Sequence, residues 1–235
     1  MPSIAELRER ALADSPFDDE KTAGILEDHF AAVPRRVAFA LQRWPELEQE
    51  AVLDVGCSYG HCLAHFGPGS VGIDSNAQHV EFARRLGLDA RVVDAHGELG
   101  LPPGSFDTVW LCDVVEHLVA PHAVLRGLRP FVKPDGRLIV YLSVAPSPRL
   151  ARLALGRLDA TGFLAHAHHY QFTYDTAVFL VERAGYRVTS GVPAIRLPKR
   201  VTTRLYLEAK PDDAMEKIAA RAELRNRGGT TRPPL

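Results

Sequence analysis

The sequence predicts an α/β protein, a parallel β-sheet covered by helices on both faces. Three observations lead there. Short apolar runs alternate with amphipathic stretches from residue 51 onward. The first run, "VLDVG", enters a glycine turn of the form D-x-G-x-x-x-G. Carboxylates then recur at the ends of apolar runs, Asp54, Asp74 and Asp94, twenty residues apart.

The elements follow in order. Residues 1–50 read as helical: "SIAELRERALAD" and "AGILEDHFAAVPRRVAFALQRW" space their apolar residues by three to four, with breaks at Pro16 and Pro34. "AVLDVG" is a strand ending in glycine, "HCLAHF" suits a helix, and "SVGIDS" is a strand. "AQHVEFARRLG" is an amphipathic helix closed by Gly87. "ARVVDA" and "FDTVWLCD" are strands, and "VVEHLVAPHAVLRGLRPFV" is helical with a new segment at Pro121. "KPDG" reads as a turn before a strand from about Arg137 to Leu142. "DTAVFLVERAGY" is a helix ended by Gly185, and "YRVTSGV" and "TTRLYLEAK" are two late strands.

This order divides the chain into a helical cap (1–50), a core (51–210) and a C-terminal helix with a mobile tail (211–235). Residues 144–170 break the alternation. They follow a core strand, where open α/β sheets bind ligands, and read as an acceptor pocket or lid. Composition suits one soluble domain, 46% hydrophobic and 24% charged. Lys+Arg number 28 against Asp+Glu 29, so no basic excess advertises a nucleic-acid track. The start lacks a signal peptide's apolar core, and no apolar run is long enough to span a membrane; a cytoplasmic protein is expected. Three cysteines without C-x-x-C spacing read as free thiols.

In the glycine turn, Gly56 and Gly60 allow a sharp bend and close approach to a ligand. Asp74 is placed to accept bonds from ribose hydroxyls. The G-x-x-x-G spacing argues against a dinucleotide, and there is no P-loop. Together "VLDVGCSYG", "VGIDSN", "VVDAHGE", "FDTVWLCDVVEHL", "LRPFVKPDGRLIVYL" and "YQFTYDTAVFLVERAGY" resemble the class I S-adenosylmethionine-dependent methyltransferases from about Val52 to Ala209. The resemblance implies a Rossmann-like seven-stranded sheet with an antiparallel last strand, here "TTRLYLEAK". It places Asp54 and the turn Gly56, Cys57, Ser58, Tyr59 and Gly60 around the methionine part of the cofactor. Asp74, with Ser75, would hold the ribose; Asp94 and Ala95 would flank the adenine; Leu111 and Cys112 would pass near the sulfonium.

A sulfonium methyl is already activated, so the acceptor is the remaining problem. An alcohol needs a base, or a metal ion that acidifies its proton. "LCDVVEHL" sets Asp113, Glu116 and His117 at i, i+3 and i+4, one face of a helix, and "AHAHHYQF" follows the next core strand. The pair is similar to the acidic-x-x-Glu-His and His-x-His motifs of metal-dependent small-RNA 2′-O-methyltransferases, with Asp113 standing where that family carries glutamate. That resemblance implies Asp113, Glu116, His117 and His168 as ligands of Mg²⁺, Mn²⁺, Fe²⁺ or Zn²⁺. Without a metal, His117, His166 or His169 is the base.

The expected activity is O-methylation of a small hydroxylated acceptor, a saccharide, glycoside or other vicinal diol, with or without metal assistance. Three rivals stand beside it: methylation of an RNA 3′-terminal ribose, a metal-free enzyme acting on a phenol, carboxylate or lipid, and a cofactor-binding fold serving as a partner subunit. Near-zero net charge counts against RNA. The N-terminal helices either cover the cofactor or make a homodimer contact.

Overall fold

The computed structural model of the protein describes residues 3–30, 35–144, 169–194 and 203–227. Its centre is one seven-stranded sheet, β1 Val52–Val55, β2 Val71–Asp74, β3 Ala90–Val92, β4 Phe106–Cys112, β5 Val132–Val144, β6 Tyr186–Ala194 and β7 Thr203–Pro211. Their order is β3-β2-β1-β4-β5-β7-β6. The pairs β1–β2, β2–β3, β1–β4 and β4–β5 are parallel, and β7 runs antiparallel to both β5 and β6. Leu53 lies between Val71 and Val109, which sets the register at the middle of the sheet.

Period-two alternation divides the strand side chains between two faces, each with its own core. Leu53, Val109, Leu111, Leu138, Val140 and Leu207 share one cluster with helices α5 (Pro121–Leu128) and α6 (Tyr174–Arg183). Val52, Trp110, Ile139, Tyr141 and Tyr206 turn to the other face. There they meet α1 (Ile4–Ala13), α2 (Asp19–Ile25), α3 (Arg35–Arg43) and α4 (Ala77–Arg85). With both faces covered, the central strands read as continuous apolar runs rather than as alternation.

Local chemistry explains where the helices start. Ser3 and Glu6 form a capping box on α1, Asn76 caps α4 through the N–H groups of Gln78 and His79, and Thr173 with Thr176 caps α6. Pro121 opens α5, where its missing N–H costs nothing. A final helix, α7, covers Asp213–Arg227.

At the amino ends of the strands, Arg137 donates to Glu46 at 2.7 Å and to Glu50 at 2.9 Å, and Lys133 pairs with Asp107 at 2.8 Å. These pairs tie β5 to β4 and to the 3-10 turn Pro45–Glu48, which leads into β1.

Three expectations need correction. "HCLAHF" is a 3-10 turn over Leu63–His65, not a helix, because Gly67 and Pro68 follow at once and Leu63, Ala64 and Phe66 are all buried. "DVVEH" is not a continuous helix either. Asp113 ends β4 in the left-handed region at φ +53, and only Val115–His117 makes a 3-10 turn. Lastly, β5 begins at Val132, so "KPDG" lies within the strand, where the register with β4 shifts between Phe106 and Thr108. Most of the 144–170 segment, including His166 and His168, lies outside the described residues, as does the tail after Arg227.

Candidate active site

The chain leaves β1 toward β2 on one side, and β4 lies on the other, so a crevice opens beyond their carboxyl ends. It has a volume of about 610 Å³. Val55, Ile73, Val93 and Leu118 give it apolar walls, and Asp74, Asp94 and Asp113 give it carboxylates.

The glycine turn forms its floor. Gly56 (φ +73) and Cys57 donate their N–H groups to the Ile73 carbonyl at 2.8 and 3.0 Å. A Cβ on Gly56 would lie 2.5 Å from Val114 Cγ2, so only glycine lets the ends of β1 and β4 close together. Gly60 (φ +83) serves a different need, because a Cβ there would lie 2.5 Å from Leu88 Cδ1 and 3.2 Å from Ala83 Cβ. It seats the turn against α4 rather than facing the crevice.

Asp74 ties the turn to the next strand. Its carboxylate accepts from the Ser58 N–H at 2.9 Å and the Asn76 N–H at 2.8 Å. Ser58 is held at φ +50, a left-handed conformation unusual for serine. On the far wall, Asp94 accepts from the His96 backbone N–H at 2.9 Å and lies 2.8 Å from His96 Nδ1. Those bonds lower the Asp94 pKa. His96 also lines the crevice.

Of the residues expected at the cofactor, Gly56, Ser58, Asp74, Ser75, Asp94 and Ala95 line the crevice. The others are placed around it. Asp54 is 2% exposed, beneath the turn. Burial, reinforced by the Asp74 charge and opposed by the Leu63 N–H, pushes its pKa up to about 8. Cys57 is buried against Gly72. Leu111 turns into the core shared with α5 and α6, while Cys112 packs on the opposite face.

The two ligand-rich stretches do meet. The Glu116 carbonyl accepts from the N–H groups of His169 at 2.8 Å and Tyr170 at 3.3 Å. Asp113 stands outside the 3-10 turn that carries Glu116 and His117, so the three do not share one helical face. Asp113 lines the crevice, and its Oδ2 lies 2.9 Å from Arg36 Nη1 of α3. Glu116 is buried at 1% exposure, whereas His117, at the crevice edge, and His169 are exposed. Among the described residues, no group of three or more His, Cys, Asp or Glu side chains is placed to hold a metal ion.

The N-terminal helices were expected over the cofactor or at a dimer contact, but the residues they bring to the site, Arg36 and His29, were not among those the sequence singled out. Arg36 reaches Asp113 from α3. His29, in the π-helical turn Leu26–Phe30 after α2, lies over His61 with ring centroids 4.9 Å apart, and 5.4 Å from Tyr59. Tyr59 continues to His79 at 4.2 Å, and His79 lines the crevice. Burial lowers the pKa of His29, with Arg36 and His79 adding to the effect and Asp28 opposing it. Burial, followed by the His29, Arg36 and His65 neighbours, holds His61 at about 3. Residues so far apart carry no local signal; at most, the unusual number of histidines hinted at them.

Comparison with known proteins bears on this site. Residues 53–140 match a family model described as a methyltransferase domain. A ubiquinone biosynthesis O-methyltransferase from Xanthomonas euvesicatoria pv. vesicatoria is 35% identical over 136 residues, covering 54% of this chain and 57% of that one. The chain spans about half the length of the curated relatives it matches. Among solved structures, a putative methyltransferase from Bacillus halodurans superposes with a TM-score of 0.61 at 14% identity, covering 76% of this chain and all of that one. The 1,6-didemethyltoxoflavin-N1-methyltransferase of Burkholderia thailandensis, solved with S-adenosylhomocysteine, gives 0.56 at 18% identity, covering 89% and 88%. The seven-stranded Rossmann-like fold with its antiparallel β7 is therefore the fold of these methyltransferases.

Proposed function

We propose that this chain is an S-adenosylmethionine-dependent methyltransferase that methylates a hydroxyl oxygen of a small acceptor. The observation carrying the reading is Asp74 at the carboxyl end of β2. A carboxylate accepts about four hydrogen bonds, and two of its positions hold the Ser58 and Asn76 N–H groups. The capacity left over suits two ribose hydroxyls. The apolar walls suit an adenine, and the three crevice carboxylates suit a cationic sulfonium rather than a phosphate. When bound, the cofactor supplies an electrophilic methyl group.

The chain's residues do the rest. Asp74 orients the nucleoside, the Gly56 turn brings the backbone close to it, and the N-terminal helices close the acceptor side over Asp113. Oxygen as the acceptor atom is supported by the relatives named O-methyltransferases. The narrower version, a saccharide or vicinal diol activated by a divalent ion, has less behind it. The Asp113 charge is met by Arg36, and His117 turns outward at the rim.

Calorimetry with S-adenosylhomocysteine tests the cofactor reading, and the expected result is one site per chain. No binding by the wild type would defeat it. Turnover of [methyl-³H]S-adenosylmethionine with a phenol and a sugar panel, in EDTA and after adding Mg²⁺ or Zn²⁺, tests the narrower version. Undiminished turnover in EDTA removes the metal.

A further inference from the structure

A bridge of hydrogen bonds spans the crevice. Residues 93–96 line one wall and residues 117–119 line the other. These segments follow β3 and β4, which have β2 and β1 between them in the sheet. Three strand spacings separate such strand ends by roughly 14 Å. The His96 ring joins the two sides. Its Nδ1 lies 2.8 Å from Asp94 Oδ1, and its Nε2 accepts from the Ala120 N–H at 3.4 Å. A ring nitrogen that accepts carries no proton, so the proton sits on Nδ1 and is donated to Asp94. The same peptide group is held at its other end. The Val119 carbonyl accepts from the Tyr170 hydroxyl at 2.9 Å. Tyr170 and His169 in turn donate their N–H groups to the Glu116 carbonyl at 3.3 and 2.8 Å. One chain of bonds therefore runs from Asp94 through His96 and the Val119–Ala120 peptide to Tyr170.

We propose that His96 and Tyr170 are positioning residues that hold the Val119–Ala120 peptide as a strap across the crevice, so that the nucleoside filling the crevice also fixes the backbone at residues 169–170. This deepens the methyltransferase reading and rests on it. The strap is built to adjust. Val119 is 70% exposed, and the 3.4 Å bond from Ala120 is longer than the usual 2.9–3.0 Å. Ala120 is also the N-cap of α5 and makes no side-chain cap bond, so the helix start is not locked locally.

A nucleoside lying between the two walls restricts the loop that carries Asp94 and His96, and the bond to Ala120 shortens. Each bond in the chain polarises the next, so the Tyr170 hydroxyl is held more firmly on the Val119 carbonyl. The ordering of residues 169–170 then accompanies cofactor binding, and an acceptor meets a wall already in place. His96 acts here through its accepting nitrogen. A side chain with an acceptor at that position replaces it, and one without an acceptor does not.

The test uses the full chain and S-adenosylhomocysteine, with calorimetry and amide hydrogen exchange as readouts. In the wild type the ligand should slow exchange at least about fivefold at Ala120 and at His169 and Tyr170. His96→Ala should bind the ligand about tenfold more weakly, and bound ligand should no longer slow exchange at residues 169–170. His96→Gln, whose side-chain oxygen falls near the Nε2 position, should recover both affinity and protection. Tyr170→Phe should keep the protection at Ala120 and lose it at residues 169–170; it removes a single oxygen and carries the test if His96→Ala does not fold. A purely structural role would lower melting temperatures and leave the two segments coupled. Protection at residues 169–170 that survives in either His96→Ala or Tyr170→Phe, or that is missing from the ligand-bound wild type, overturns the proposal and leaves the methyltransferase reading intact. If the wild type fails to bind S-adenosylhomocysteine, both fall together.

Discussion

Asp54 and Asp74 stand toward the carboxyl ends of adjoining strands, with opposite solvation. Asp74 lies at the crevice with two N–H donors, whereas Asp54 is sealed below the turn beside it. For Asp74→Ala, loss of the bonds to a ribose should weaken S-adenosylhomocysteine binding about 100-fold, roughly 3 kcal/mol, as read by calorimetry. The fold should persist by circular dichroism. Asp54 gives a pH prediction. Its folded pKa of about 8 lies above the ordinary 3.8, so between those values the native state keeps a proton that the unfolded chain releases. Stability therefore falls as pH rises through that window and levels off above it. Asp54→Asn, always neutral, should gain melting temperature relative to wild type at pH 9 and little at pH 5; equal differences at both pH values would contradict the assignment.

At the scale of elements, the glycine turn and the end of β4 are one unit. Gly56→Ala should destabilise by at least about 2 kcal/mol, from the left-handed backbone and the contact with Val114. The urea midpoint reads the loss. The strands were legible in the sequence because apolar runs between turn residues have few alternatives. The 3-10 turns were not. "HCLAHF" and "VVEH" have helical spacing, but burial of Leu63, Phe66 and Glu116 at the strand ends outweighs local preference. The same override spoiled the argument from i, i+3, i+4 spacing, so Asp113, Glu116 and His117 do not share a helical face. The meeting of the two ligand-rich stretches was nonetheless legible, because both follow strands that are neighbours in the sheet.

For the whole molecule, the N-terminal helices complete both a core and a site wall. Tyr206 of β7 donates its hydroxyl to the Arg36 carbonyl at 2.6 Å and stacks on Phe39 of α3 at 5.0 Å. Tyr206→Phe should cost about 1 kcal/mol and speed hydrogen exchange in residues 35–43 while leaving β1 and β4 protected. Uniform change across the sheet would show that α3 is not a separately anchored unit. The alternation of apolar runs and the acidic residues spaced by twenty were enough, by themselves, to determine the α/β class, the glycine turn and the carboxylates at the strand ends, because each follows from neighbours in the chain. Only the tertiary structure decided what meets at the acceptor side. Arg36 reaches Asp113 and His29 covers His61 across more than thirty residues of sequence, and such pairings depend on how the helices settle on the sheet, which no local pattern encodes.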